Sequence, residues 1–204
     1  MTGVRKTVDS LFFMKVEIDD SRANNSVKDI VSMGVLSLNR TDRLRMIEFD
    51  KSVSNVVSET LTNFYEKKHI SSAGKYHGAV EFKLQGHPFD CLGLKSVESH
   101  QLVCDVLQSL TFSAGYNILS TIKVSDKITS KSSFIMTKSS RSENGKTENK
   151  KQSQEINNWI ERYASISFSE KNKLRFINFS PETTMRVMKM VTEAFHPGMV
   201  LRAS

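Results

Sequence analysis

A sixteen-residue segment occurs twice in this chain, and the repeat constrains the fold more than any other feature of the sequence. VLSLNRTDRLRMIEFD at residues 35–50 aligns without a gap on SISFSEKNKLRFINFS at residues 165–180. Most of the differing positions exchange like for like. The identical pairs are Ser37/Ser167, Leu44/Leu174, Arg45/Arg175, Ile47/Ile177 and Phe49/Phe179. The sequence therefore predicts that both ends of the chain build the same local structure.

Each copy carries the pattern of a β-hairpin followed by a helix. Apolar and polar residues alternate over 33–39 and 43–49 and again over 164–169 and 174–179, as in strands with one buried face. NRTD supplies the first turn. Helical spacing then begins near Ser52 and again after Ser180, where Ser180 is a predicted N-cap and Pro181 the first helical residue. A weaker match, DSLFFMK at 9–15 with SSFIMTK at 132–138, adds one strand before each hairpin.

Between the copies the pattern predicts a strand within KYHGAVEFKLQG at 75–86, a helix at 96–110 and a strand at 116–124. We therefore predict an α+β fold, with internally duplicated β-β-β-α units around a central β-α-β segment and antiparallel sheets covered by helices. The whole chain, 1–204, forms one pseudo-symmetric domain in this interpretation. Its parts are half one at 8–70, a central insert at 75–125 and half two at 127–204, with a short helix at 152–162.

The positive charge of the chain is concentrated in one stretch. The net charge is +7, and residues 123–151 hold eight Lys or Arg against three acidic residues, a local excess of 8 − 3 = +5. Within this stretch, residues 139–155 contain no apolar side chain. Such a segment cannot bury enough surface to offset the entropy lost on ordering, which predicts a mobile polar loop.

Matched basic residues in the two copies suggest an anion-binding surface. Arg43 and Arg45 in the first hairpin correspond to Lys173 and Arg175 in the second, on the outward face of each strand. These cations could bind a phosphate backbone, an acidic peptide or only water. The basic residues of the polar region that would assist them are Lys138, Arg141, Lys146, Lys150 and Lys151.

Two His/Cys pairs of equal spacing raise the possibility of structural zinc. His87 with Cys91 and His100 with Cys104 supply the ligand types and the number that a tetrahedral site needs. The alternative is that Cys104, which lies among apolar residues of the predicted helix, is a small core residue.

Catalytic signatures are missing from the sequence. It has no phosphate-binding loop, no dinucleotide-binding glycine pattern, no nucleophile elbow and no HExxH motif. We therefore predict a non-enzymatic binding or scaffold module that contacts a protein partner or a second copy of itself. The alternative is a protein that binds single-stranded RNA or DNA. No apolar run suits a membrane span or a signal peptide, and the two cysteines suit a reducing compartment, so we expect a cytoplasmic or nuclear protein.

Overall fold

The computed structural model describes residues 10–14, 30–64, 70–91, 93–123, 130–139, 163–169 and 173–195. The strands within these ranges are β1 Ser10–Met14, β2 Ile30–Asn39, β3 Arg43–Ile47, β4 Ile70–Tyr76, β5 Ala79–Leu84, β6 Tyr116–Ile122, β7 Ser130–Ser139, β8 Tyr163–Ser169 and β9 Lys173–Ile177. The helices are α1 Val53–Phe64, α2 Leu94–Phe112 and α3 Pro181–Phe195, with a short 3-10 turn at Pro88–Asp90. The α+β class predicted from the sequence is confirmed. The predicted polar loop beyond Ser139 and the predicted helix at 152–162 lie outside the described residues.

The strands form two antiparallel sheets. One has six strands in the order β4-β5-β3-β2-β7-β6, and the other has three in the order β1-β8-β9. The central segment differs from the prediction because β4 and β5 form a hairpin, so that this part reads β-β-α-β. His77 and Gly78 make its turn with positive φ angles of 46° and 87°. β4 is an exposed, mostly polar edge strand, which explains why its alternation is too weak to detect in the sequence.

The main hydrophobic core lies between the six-stranded sheet and the two helices α1 and α2. The sheet contributes the side chains of even-numbered residues in its central strands, and α1 contributes the apolar residues along one of its faces. Leucine, valine and aromatic side chains at these positions are almost completely removed from water, which is the main favourable term in folding. The core residues of the strands and α1 are Leu36, Leu38, Leu44, Met46, Phe82, Leu84, Phe134, Met136, Val53, Val57 and Leu61.

Helix α2 is buried nearly all round, because the three-stranded sheet packs against it in addition to the main core. The Tyr163 hydroxyl on β8 lies 2.7 Å from the Thr111 hydroxyl on α2. Tyr163 is itself part of the core cluster. A helix that is apolar nearly all round is expected in such a central layer. Together, α2 and the two sheets form a sheet-helix-sheet sandwich.

The two repeated hairpins have the same strand register. Val35 pairs with Ile47 in the first hairpin, and Ser165 pairs with Ile177 in the second, an offset of 130 residues that holds along both hairpins. The residue after each hairpin, Glu48 or Asn178, has a positive φ angle of 58° or 59°. The shared geometry fits the repeated sequence, while the origin of the halves by duplication remains a hypothesis.

The strands that precede the hairpins are exchanged between them. β1 pairs with β8 of the second hairpin, and β7 pairs with β2 of the first. The registers again agree, because Ser10 pairs with Ser167 as Ser133 pairs with Ser37. The chain order alone would place β1 beside the first hairpin. The exchange links the two ends of the chain through the sheets.

The start of α3 agrees with the sequence-based prediction. The Thr183 backbone N–H donates a 3.1 Å hydrogen bond to the Ser180 hydroxyl, and Pro181 is the first helical residue. Glu182 in the first turn forms an exposed ion pair with Arg186 at 2.6 Å. The N-cap bond satisfies one of the backbone donors that an isolated helix end leaves unpaired.

Candidate protein interface

The two hairpins pack opposite faces into the core that contains α2. In the second hairpin, the face that carries Tyr163 and Ile177 packs against α2, and these residues are only 1% and 3% exposed. The equivalent residues of the first hairpin, Met33 and Ile47, are 47% and 37% exposed. They lie on the side of the six-stranded sheet that faces away from the helices. At these two positions, a face that is covered in one hairpin is therefore open in the other, although Ser37 and Ser133 farther along the face are buried.

We call this open side of the six-stranded sheet the outer face. Its apolar part is continuous across three strands, because Val35 on β2 pairs with Ile47 on β3 and with Ile135 on β7. Met33 lies two residues before Val35 on the same side of β2. Met33 and Ile47 are exposed, and Val35 and Ile135 are half-buried. A contiguous apolar surface of this kind marks an interaction site more often than scattered apolar side chains do.

A charged cluster borders the apolar part of the outer face. Glu81 on β5 accepts a 2.5 Å bond from Arg43 Nη1 and a 2.6 Å bond from Arg45 Nε on β3. Arg43 Nε also lies 3.3 Å from Asp42 Oδ1. The Arg45 guanidinium lies 4.0 Å from the centre of the Tyr76 ring, in cation–π geometry. Two arginines and two carboxylates sum to a formal charge of zero.

The Glu81 carboxylate is ionised more readily than an exposed glutamate. Burial alone would raise its pKa, but the hydrogen bonds and positive charges of Arg45 and Arg43 outweigh burial and lower the pKa below its usual 4.5. A carboxyl group with a lowered pKa in the folded state stabilises the protein above its unfolded-state pKa. This stabilisation disappears as the pH falls through the folded-state value.

We expect Glu81→Gln to lower the free energy of unfolding at pH 7 by about 1–3 kcal/mol, the range for hydrogen bonds to charged groups. The substitution leaves two half-buried arginines without their shared carboxylate. Urea unfolding of the variant and the wild type at pH 7 and near pH 3 provides the measurement. The difference between them should shrink at the lower pH. Glu59→Gln, at an exposed position of α1, should change little, and an equal loss at both pH values would contradict the assignment.

The matched cations predicted from the sequence do not share one surface. Arg43 and Arg45 lie on the outer face, whereas Arg175 is on the β9 face that packs against α2, where its charge acts on His100. The side chain of Lys173 lies outside the described residues, as do Arg141, Lys146, Lys150 and Lys151. Lys138 is at the end of β7, beside Tyr116 in register. The nucleic-acid hypothesis is therefore left without a combined cationic surface in the described part of the chain.

Three of the four proposed zinc ligands form hydrogen bonds with other groups, and the fourth is buried in the core. His87 Nδ1 lies 2.8 Å from the Thr41 hydroxyl, and the Cys91 thiol donates a 2.9 Å bond to the Pro88 carbonyl. His100 Nδ1 lies 2.5 Å from the Ser96 carbonyl, and Cys104 is completely buried. Within the described ranges, no group of three or more His, Cys, Asp or Glu side chains is arranged to hold a metal ion. The alternative interpretation of Cys104 as a core residue agrees with its position.

The two thiols should differ strongly in reactivity. Burial, with a contribution from the charge of Asp105, raises the pKa of Cys104 to about 12, whereas Cys91 is only half-buried. Because the thiolate is the reactive form, iodoacetamide at pH 8 should modify Cys91 in the folded protein and Cys104 only after unfolding. Peptide mass spectrometry with and without denaturant checks this. Rapid modification of Cys104 in the folded chain would contradict its burial.

A protein-family model matches residues 32–137, which extend from β2 to β7. This region contains nearly all of the six-stranded sheet together with α1 and α2, and it contributes the whole apolar part of the outer face. None of the curated proteins and none of the solved structures matches the chain. In the described ranges, no helix has both the length and the apolar character needed to cross a membrane. Since the match covers just over half of the 204 residues, the chain belongs to this domain family, whose description names a domain and no activity.

Proposed function

We propose that this protein is a non-enzymatic binding module that acts through protein–protein contacts, and that the outer face is its docking surface. The observation that carries the proposal is the difference between the equivalent faces of the two hairpins. Met33 and Ile47 are exposed where Tyr163 and Ile177 are buried by α2. An antiparallel sheet can expose a face of this composition to water. A partner that covered the row of apolar side chains would remove them from water, which favours binding.

The charged cluster would fix the orientation of a partner on the docking surface, while the apolar part supplies hydrophobic contact. Arg43, Arg45 and Glu81 are held in fixed positions by their mutual ion pairs, and Tyr76 is held by its contact with Arg45. Protein interfaces are enriched in arginine and tyrosine, which combine apolar area with hydrogen-bonding groups. An apolar centre beside an ordered polar border is the usual arrangement of a protein-binding surface.

Affinity purification with outer-face variants tests this function. Met33→Asp and Ile47→Asp place a charge in the centre of the apolar part without touching the main core. Asn63→Asp, at an exposed position of α1, introduces the same residue on another surface and is the matched control. We expect a partner that is retained by the wild type and the control, and lost from both outer-face variants. Thermal unfolding should first show that all four proteins fold.

Retention of the same proteins by Ile47→Asp as by the wild type would contradict the proposal. A wild-type protein that retains no partner and stays monomeric in light scattering at high concentration would also count against it. The light-scattering measurement covers self-association, because a second copy could occupy the same surface.

Single-stranded nucleic-acid binding stays a sequence-based prediction. It requires that affinity for a labelled oligonucleotide falls steeply with salt and depends on charge reversal at Arg43, Arg45, Lys173 and Arg175. Because the cluster around Glu81 has a formal charge of zero, Arg43 and Arg45 are expected to contribute less to the binding of a phosphate backbone. Absence of micromolar binding at about 50 mM salt would exclude this function.

A further inference from the structure

The outer face resembles the face of the second hairpin that packs against α2. Three of the five central positions of the two hairpin faces hold identical residues. The pairs are Met33/Tyr163, Val35/Ser165, Ser37/Ser167, Arg45/Arg175 and Ile47/Ile177. In the second hairpin this face packs against a helix. The same strand register and three shared side chains therefore offer a helix a second docking site on the outer face.

One printed contact and one longer-range interaction indicate how α2 lies against the second hairpin. Near the C-terminal end of α2 the Thr111 hydroxyl lies 2.7 Å from that of Tyr163, and nearer its N-terminal end the charge of Arg175 helps to lower the pKa of His100, after the larger effect of burial. These helix positions are eleven residues apart, or roughly 16 Å along the axis. On the outer face, the four residues from Met33 to the row of Arg45 extend about 13 Å along the strand. A helix of three turns therefore spans the outer face from its apolar part to its arginines.

The basic end of the outer face favours an acidic residue on the helix that covers it. Lys83 pairs in register with Arg43, so Lys83, Arg43 and Arg45 lie side by side on this face. Glu81 is the one acidic strand residue between them among the described residues. In the described part of the chain no carboxylate forms an ion pair with Lys83. Three cations against the two carboxylates of Glu81 and Asp42 leave an excess of 3 − 2 = +1, which an acidic side chain would complement.

We infer that the outer face binds an amphipathic helix of a partner protein, with its apolar stripe on Met33, Val35 and Ile47 and an acidic residue over Arg45 and Lys83. This inference rests on the proposed function and identifies the chemistry of the partner. The acidic residue would occupy the position that His100 has on the second hairpin, about eleven residues from the last apolar contact.

The helices of a second copy of the chain are poorly suited to bind the outer face. In the described chain, α1 and α2 bury their apolar residues within their own core. The apolar stripe of α3, which includes Val187, Met188 and Val191, is already half-buried. A net charge of +7 on each copy also opposes the approach of two basic surfaces. Charge complementarity therefore favours an acidic partner over another molecule of this chain.

A peptide derived from α2 is a suitable probe. Its sequence is that of residues 94–112 with Cys104→Ala, with glutamine at the positions of Leu102, Val106 and Leu110 for solubility, and with His100→Glu. A fluorescein label allows its binding to the full chain to be followed by anisotropy. A second peptide that is identical except for His100→Lys is the charge control. We expect the first peptide to bind about 10-fold more tightly than the second.

Two protein variants locate the site. Ile47→Asp should weaken binding of the first peptide at least about 10-fold, while the matched control Asn63→Asp should leave it unchanged. Lys83→Glu should reduce the preference between the peptides or reverse it. Equal binding of both peptides to the wild type, or binding that survives Ile47→Asp, would overturn the inference.

The remaining outcomes separate this inference from the proposed function. A cellular partner that is lost with Ile47→Asp while the peptide fails to bind would leave the docking function intact and show that its occupant is not such a helix. Self-association in light scattering that Ile47→Asp abolishes would identify a second copy as the occupant. Oligonucleotide binding that Lys83→Glu abolishes and Ile47→Asp leaves unchanged would identify nucleic acid instead.

Discussion

Tyr163→Ala is expected to lower the free energy of unfolding by about 3–5 kcal/mol, the range for truncating a large aromatic side chain in a core. Tyr163 is 1% exposed and belongs to the core cluster around α2. Among the side chains that the structure describes, it is the aromatic one that the three-stranded sheet contributes to this cluster. The loss is large relative to the roughly 5–15 kcal/mol that stabilises a typical domain.

Tyr163→Phe separates the packing of the ring from its hydrogen bond. The phenylalanine variant keeps the ring and loses only the 2.7 Å contact with Thr111, so it should lose about 1 kcal/mol. Urea unfolding measures both variants, and the alkylation rate of Cys104 gives an independent measure of access to α2. If Tyr163→Ala destabilised the protein no more than Tyr163→Phe does, the packing of the two sheets on one helix would be wrong.

The elements of the fold follow from local sequence patterns. The repeat at 35–50 and 165–180 predicts two hairpins of equal register, and Ser180 with Pro181 predicts the start of α3. These features depend on residues that are close together in the chain. Periodicity and capping are therefore sufficient to predict them.

The partners of the strands are not contained in these local patterns. Pairing of β1 with β8 joins residues about 150 positions apart, and nothing in the alternation of β1 distinguishes the two hairpins as neighbours. The same limit applies to the charged cluster. Alternation in β5 places Glu81 opposite the buried residues, but its contacts with Arg43 and Arg45 follow only from the pairing of β3 with β5.

The open apolar face was also beyond the reach of sequence reasoning. Ile47 and Ile177 are identical residues in identical registers, yet one is exposed and the other buried. The difference arises because the first hairpin adds its even-numbered residues to the core that contains α2, whereas the second packs its odd-numbered residues against α2. Which side a shared helix covers is decided by the packing of the whole chain, and an alternating strand can accept either side.

Gly34→Val should destabilise the protein by about 1–3 kcal/mol or more through overpacking. A Cβ atom at Gly34 would lie 2.8 Å from Cγ and Cδ1 of the Phe49 ring, closer than carbon atoms can approach. The ring cannot move away freely, because it packs edge-on against Tyr116 with centroids 4.9 Å apart. The Tyr116 hydroxyl is itself held by Ser32 at 2.7 Å and Asp50 at 3.0 Å.

A double-mutant cycle with Phe49→Ala tests whether this contact is the cause. Phe49→Ala alone removes ring packing and should destabilise the protein, but it also removes the atoms that a valine at residue 34 would meet. The double variant should therefore be more stable than the sum of the single effects predicts, by about 1–2 kcal/mol. Valine favours strands by intrinsic propensity, so the backbone of β2 gives no other reason for a loss. Strict additivity in urea unfolding would show that Gly34 is required for something other than space for Phe49.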